Sequence, residues 1–327
     1  MLPVAVDAMG GDNAPESIVA GARRALEERG IPVVLVGQSA LLGDTGGIEV
    51  IEASEVIAMD ADPGSSVRTM KDSSLVRAAE AVRDERASAM VSAGNTGATM
   101  ASALLRTGRI KGVARPAIAT PIPGPAGTPT VLLDAGANAE CRPEWLVQFG
   151  QMGALFARTR FGVENPRVGL LSIGEEAGKG SPFVKEAFGC LEQVDWAAQG
   201  ATFLGNVEGR DLMSDDVDVV VTDGFTGNVA LKTLEGGARQ IISALVEAFN
   251  SSPEAKVASE QLLPALLPLY QRFDADTYGG AMLLGTKGVT IISHGSSGEE
   301  AVVNAIAVAA EMVEHDLVGK ITAAVNA

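Results

Sequence analysis

Three β-branched residues in a row, Val219, Val220 and Val221, stand between polar neighbours and run directly into Thr222-Asp223-Gly224-Phe225-Thr226-Gly227-Asn228 and an Ala- and Leu-rich helical pattern. A run that is apolar on both of its alternating faces fits a strand covered above and below, the setting of a parallel sheet. A turn from such a strand into a helix aims backbone N–H groups and the positive end of the helix dipole at the space beyond the strand, which suits a phosphate. An ordinary βα connection looks the same, so the segment gains meaning only in company.

The rest of the chain supplies that company by repeating the order strand, glycine turn, helix. Residues 2–6 read as a strand, 7–15 (DAMGGDNAP) as a turn, and the stretch to Arg29 as a helix stopped by Gly30. Strands at 32–37 and 49–58 follow, then a polar loop over 60–74 and a helix over 75–86. A strand at 89–92 enters Ala93-Gly94-Asn95-Thr96-Gly97 and a helical run to 105. Strands at 116–121 and 130–133 flank the turn-forming insert GPAGTP, and the second ends in Asp134-Ala135-Gly136-Ala137-Asn138 before a helix over 143–159. The strand at 167–172 delivers the loop 174–180 (GEEAGKG) and a helix over 183–191, and a weak strand spans 202–205. A helix from Gly227 to Phe249, strands at 281–284 and 289–292 and a helix over 299–318 complete the pattern. Alternation of this kind predicts an α/β fold, a mostly parallel sheet with helices on both faces, and right-handed crossovers that set the glycine turns along one edge. Residues 1–327 read as one continuous unit, with an apolar lobe at 254–280. There, Pro264 and Pro268 argue against one regular helix, although Leu262, Leu263, Leu266, Leu267, Leu269, Tyr270 and Phe273 crowd around them.

Charge and composition narrow the function. A formal net charge of −16 disfavours nonspecific nucleic-acid binding, which needs dense Lys and Arg coverage of phosphates. Only 4% of residues are aromatic while 38 are glycine, a texture of small aliphatic cores and tight turns. Two cysteines, Cys141 and Cys190, make neither a disulfide framework nor a CxxC pair, which points to a reduced, cytoplasmic setting. The first residues, MLPVAVDAMGG, lack a basic leader, and no apolar run is long enough to span a bilayer.

The turns exclude several chemistries. GxGxxG, the P-loop and GxSxG are absent, and two histidines without HExxH do not suggest zinc. Asp7, Asp12, Asp134 and Asp223 at strand ends suit either caps and turns or magnesium. What remains is an anion site built from backbone N–H groups, asparagine amides and lysine, and hence an enzyme acting on a phosphate-containing substrate.

Read together, DAMGGDNAP, SAGNTGA, LLDAGAN, SIGEEAGKG, GNVEGRDL, DVVVTDGFTGNVALKTLEG and DADTYGGAMLLGTKGVTIISHGSS resemble, in order from Asp7 to Ser297, the bacterial phosphate acyltransferases of phospholipid synthesis. The resemblance implies a three-layer α/β/α fold like that of isocitrate and isopropylmalate dehydrogenases and of phosphotransacetylases. It implies a homodimer without cofactor or metal. The reaction it implies moves a fatty acyl group from acyl carrier protein to inorganic phosphate, and the acyl phosphate passes to the membrane glycerol-3-phosphate acyltransferase. The enzyme would then sit in the cytoplasm, peripherally on the membrane. Residues 68–74 (RTMKDSS) carry less lysine than the family's block, and Ser172 and Ala139-Glu140 also depart from it.

For this reaction the phosphate dianion needs holding beside a thioester rather than activation by a strong base. Asn95, Thr96 and Gly97 with Asp223, Thr226 and Gly227 form the expected phosphate site. Asn228 is the expected oxyanion donor, Lys179 supplies charge, and His294 protonates the leaving thiolate. Helix capping for the asparagines, solvation for Lys179 and a structural turn for His294 are the plainer readings. Arg106, Arg109, Lys111 and Arg115 form a basic landing patch for the acidic carrier protein. The lobe at 254–273 either packs against a second subunit or touches membrane. A coenzyme A-dependent phosphotransacetylase and an isopropylmalate-type dehydrogenase are the competing activities.

Overall fold

A computed structural model describes residues 1–273 and 275–326, with the side chains of 263 and 267–275 outside that description. Leu263, Leu267, Leu269, Tyr270 and Phe273 of the expected apolar lobe therefore fall there. Among the described residues eleven strands make one sheet: β1 (Val4–Asp7), β2 (Val33–Gly37), β3 (Val50–Glu52), β4 (Ala89–Ser92), β5 (Ala117–Ile122), β6 (Thr130–Leu133), β7 (Arg167–Leu171), β8 (Thr202–Val207), β9 (Val219–Val221), β10 (Ala281–Leu284) and β11 (Val289–Ile292), in the spatial order β3-β2-β1-β4-β11-β10-β5-β6-β9-β7-β8. Central strands are buried along their whole length, as their uninterrupted apolar runs require.

The helices cover both faces: α1 (Glu16–Arg29), α2 (Pro63–Thr69), α3 (Ser74–Arg83), α4 (Thr96–Ser102), α5 (Pro143–Phe161), α6 (Pro182–Glu192), α7 (Gly224–Phe249), α8 (Pro253–Phe273), α9 (Glu299–Glu314) and α10 (Leu317–Asn326). One core packs α5, α6, α9 and α10 against the sheet around Phe149, Phe156, Met152 and Leu146. On the other face, α3 closes a core around Val76 and Met90, and α4 and α7 flank a third around Ile118, Ile122, Leu132 and Leu283.

The sheet corrects one expectation that bears on function. β10 is antiparallel to both of its neighbours, β11 and β5, and β5 is antiparallel to β6. The strands β1 to β4 and β11 therefore point one way, and β6, β9, β7 and β8 point the other. The glycine turns do not share one edge. Those after β4 and β11 leave from one side of the sheet, and those after β6, β7 and β9 leave from the opposite side. The cause is local, since the connections 123–129 and 285–288 are too short for a crossover and so force their strands antiparallel.

Three helices also differ from expectation. Residues 63–69, inside the expected polar loop, form α2, because Asp62 Oδ1 accepts from Ser65 N at 2.8 Å and Pro63 sits in the first turn. The final helix breaks at Asp316, whose φ of 49° no helix continues, and α10 starts afresh. α8 runs through Pro264 and Pro268 as one helix of 21 residues, started by Ser252 Oγ accepting from Ala255 N. Each proline removes one rung of the ladder, and the remaining rungs carry the helix through. The third strand is shorter than expected, Val50–Glu52.

Candidate active site

A cleft of about 380 Å³ opens on the face that α4 and α7 share, where the direction of the strands reverses. That volume is in the usual range for a small-molecule site. Its floor is Ile118, Thr120 and Ile122, alternate residues of β5, with Ala281 of β10 and Ile292 of β11 beside them. Leu231, Leu234 and Ala238 of α7 form a wall. The turns from both edges of the sheet reach it: Gly94 and Thr96 after β4, Ser293 to Gly295 and Ser297 after β11, Ala135 after β6, and Asn228 in the first turns of α7.

Each turn is held by specific contacts. Asp7, wholly buried, accepts from Ser92 Oγ at 2.7 Å, and Ser92 Oγ accepts from Gly94 N at 3.0 Å, so the end of β1 sets the loop after β4. Burial pushes the Asp7 carboxyl up, and hydrogen bonds from Ser74, Ser92, Met9 and Gly10 pull it part of the way back. Gly10 lies so close to Gly94 that a Cβ there would meet its N at 2.8 Å.

On the opposite edge Asp134 plays the same part more heavily. Its carboxylate accepts from the N–H of Ile118, Gly136, Ala137 and Asn138 and from Asn138 Nδ2, all within 3.1 Å. Burial raises its pKa against those bonds, yet every partner is a donor, so the loop is built around an acceptor. The start of α7 rests on this knot: a Cβ on Gly227 would fall 2.0 Å from Asp134 O, and Gly136 sits beside Asn228.

The expected site residues divide under this geometry. Thr96, His294 and Asn228 line the cleft, Thr96 and His294 from one edge and Asn228 from the other. The Asn95 amide is committed elsewhere. Its Oδ1 caps α4 through Ala98 N at 2.9 Å, and its Nδ2 donates to Met59 O and Ala61 O. Asp223 and Thr226 are occupied with each other, the carboxylate accepting from Thr226 N at 2.8 Å and from Thr226 Oγ1 at 2.7 Å as the cap of α7. Gly97 and Gly227 are packing positions, since a Cβ on Gly97 would meet Pro63 Cγ at 2.6 Å. Lys179 is exposed in the loop after β7 and does not line the cleft, because β7 lies beyond β6 and β9 from β5. His294 Nδ1 lies 2.9 Å from Ser296 Oγ, which orients the ring.

Ser293 and Ser297, not singled out in the sequence, line the cleft with hydroxyls that are buried and, among the described residues, without a hydrogen-bond partner. Two serines in a short SHGSS turn gave no signal of burial. The alternation in AIATPI does put Ile118 and Ile122 on one face, and that periodicity carried the floor of the cleft. The thiol of Cys141, near the Asp134 knot, is pushed up to about 12, first by burial, which favours the neutral form.

The basic patch also divides. Arg106 Nε stands 3.6 Å from Glu80 and its guanidinium donates to Val67 O, so it belongs to the packing of α3. Arg109 donates to Ala114 O, Arg115 stacks over Trp145 at 5.2 Å, and both remain exposed with Lys111.

The architecture defines a class. Its fold is similar to that of the phosphotransacetylase from Streptococcus pyogenes (TM-score 0.64, 16% identity, 96% of this chain and 94% of that one) and of the EutD phosphotransacetylase from Staphylococcus aureus (TM-score 0.61, 15% identity, 95% and 94%). A family model described as a fatty acid synthesis protein matches residues 2–320. The phosphate acyltransferase of Desulforudis audaxviator is 48% identical over 327 residues, covering 99% of this chain and 96% of the relative. That of Elusimicrobium minutum is 47% identical, covering 97% and 94%. The chain belongs to the phosphate acyltransferase family and is an acyltransferase.

Proposed function

We propose that the protein transfers a fatty acyl group from acyl carrier protein to inorganic phosphate, making acyl phosphate for phospholipid synthesis. The observation that carries this reading is one cleft that joins polar turns from both sheet edges to an apolar floor. Phosphate and a thioester need the first, and a hydrocarbon chain needs the second.

Phosphate sits against the turn at Thr96, close to His294. The thioester carbonyl faces Asn228 across the cleft. A phosphate oxygen attacks the carbonyl carbon, the amide of Asn228 donates to the developing oxyanion, and the carbonyl re-forms as the C–S bond breaks. His294 gives a proton to the departing thiolate. The protein contributes position and oriented donors, since the dianion is already nucleophilic. No covalent enzyme intermediate is needed, in keeping with the neutral thiol of Cys141.

The carrier docks on Arg109, Lys111 and Arg115. The long hairpin of α7 and α8 carries exposed Ile241, Leu245, Val246, Val257 and Leu262, an apolar surface suited to a second subunit and to the face of a membrane, where the product's consumer resides. Among the described residues no helix is long and apolar enough to cross a membrane.

Asn228→Ala tests the chemistry. Losing one oxyanion donor should lower kcat by about 10²- to 10³-fold with little change in the KM for carrier thioester. Lys179→Ala should leave both unchanged. An Asn228→Ala enzyme within about twofold of the unaltered rate would remove the oxyanion role.

A further inference from the structure

The far end of the cleft carries a feature that the transfer chemistry leaves unused. Resting on the acyltransferase reading, we propose that the apolar floor seats the acyl chain across the strands and that Met213, at the end away from His294, sets the length of chain accepted.

Three observations support it. The floor contributes no charge, although Lys232, Glu235 and Asp276 also line the cleft: Ile118, Ile122 and Ile292 come from the sheet and Leu231 and Leu234 from α7, all members of one apolar cluster. In a chain of net charge −16, such a stretch suits a neutral hydrocarbon and no other part of the substrate. The floor is continuous with the polar turns at Thr96, His294 and Asn228, so a chain lying on it starts at the reacting carbonyl.

The end of the floor is equally defined. Met213 closes the short 3₁₀ turn Gly209–Met213, which packs against β6, and it lines the cleft together with Ile122 and Pro123 at the end of β5. From β11, which carries His294, to β6 is three strand spacings, roughly 14 Å. An extended chain that starts at the turn after β11 and crosses β10 and β5 therefore meets Met213. Methionine suits such a stop, since its unbranched side chain fills a variable gap. Met213 is itself 36% exposed, so the stop stands at the surface and its replacement does not open the core.

Met213→Trp and Met213→Ala test the gauge, each assayed with octanoyl- and palmitoyl-carrier protein at saturating phosphate. Each methylene excluded from an apolar site costs about fourfold in binding. A tryptophan that displaces two or more should lower the palmitoyl-to-octanoyl ratio of kcat/KM by at least about fifteenfold, with octanoyl turnover kept as the proof of folding. Met213→Ala should hold or raise that ratio. A ratio unchanged in Met213→Trp overturns the gauge. So does a ratio that responds instead to Ile241→Trp, because the chain would then leave along α7. No phosphate-dependent product from either thioester with the unaltered protein would overturn the activity itself, an outcome distinct from both.

Discussion

Gly227→Ala offers the sharpest test of how the fold holds the site. Gly227 lies in the first turns of α7, one residue before Asn228, and a Cβ there would sit 2.0 Å from the backbone oxygen of Asp134. Real Cβ contacts stay beyond 3.0 Å, so helix and loop must part by about 1 Å. Neither side yields cheaply, since Asp134 is tied by five hydrogen bonds and α7 by its cap at Asp223. Alanine favours a helix over glycine by about 1 kcal/mol, whereas overpacking costs about 1–3 kcal/mol and more against backbone, so a net loss of about 1–2 kcal/mol is expected. A displacement of Asn228 by about 1 Å should lower kcat by about a hundredfold. Gly236 and Gly237, further along the same helix, have nothing within 4 Å of an added Cβ. There alanine should stabilise by about 0.5–1 kcal/mol per site with turnover intact. Urea unfolding together with phosphate-dependent release of carrier thiol reads both quantities. A Gly227→Ala protein as stable and active as Gly236→Ala would refute the reasoning.

Other perturbations have equally definite outcomes. Asp7 has a native pKa raised by burial, so its stabilisation is complete below the ordinary carboxylate range and is lost as pH rises through the raised value. The stability of the unaltered protein relative to Asp7→Asn, by urea unfolding, should therefore fall as pH rises above the ordinary carboxylate range; a difference that grows would contradict the burial argument. Cys141→Ser should keep its turnover, because that thiol is neutral, and a loss above about tenfold would restore a covalent route. Arg109→Glu with Arg115→Glu should raise the KM for carrier thioester and leave kcat alone, while Arg106→Glu should lower Tm instead, since it sets a carboxylate against Glu80. In vesicle flotation, Val257→Glu with Leu262→Glu should reduce binding to anionic vesicles, and equal binding would assign the hairpin to a subunit contact.

Much of the fold was legible because one signal repeats. Strands such as Val219–Val221 and Ala89–Ser92 are apolar on both faces, and each hands over to a turn and a helix, so the element order and the layered α/β class could be read directly. The mostly parallel character of the sheet was legible, but its two antiparallel hairpins were missed, although the signal was present: a gap of four residues between β10 and β11 cannot carry a crossover. That error placed all glycine turns on one edge and drew Lys179 into a site it does not line. Helices were lost where a cap outweighed composition, as at Asp62-Pro63, or where proline weighed too heavily, as in α8. Thr96, His294 and Asn228, which line the cleft, were singled out through their turns, while Ser293 and Ser297 become visible only when burial is known. The commitment of Asn95 to a cap and to Met59 and Ala61 likewise depends on a loop some 34 to 36 residues away in sequence.

The central claim is that this cleft brings phosphate to a carrier-bound thioester. Incubating the protein with palmitoyl-carrier protein, with and without phosphate, and trapping the product with hydroxylamine measures that step alone. The account predicts palmitoyl hydroxamate that depends on phosphate and forms faster from the carrier thioester than from palmitoyl-coenzyme A. Hydroxamate formed equally without phosphate, or formed only from the coenzyme A thioester, would contradict it.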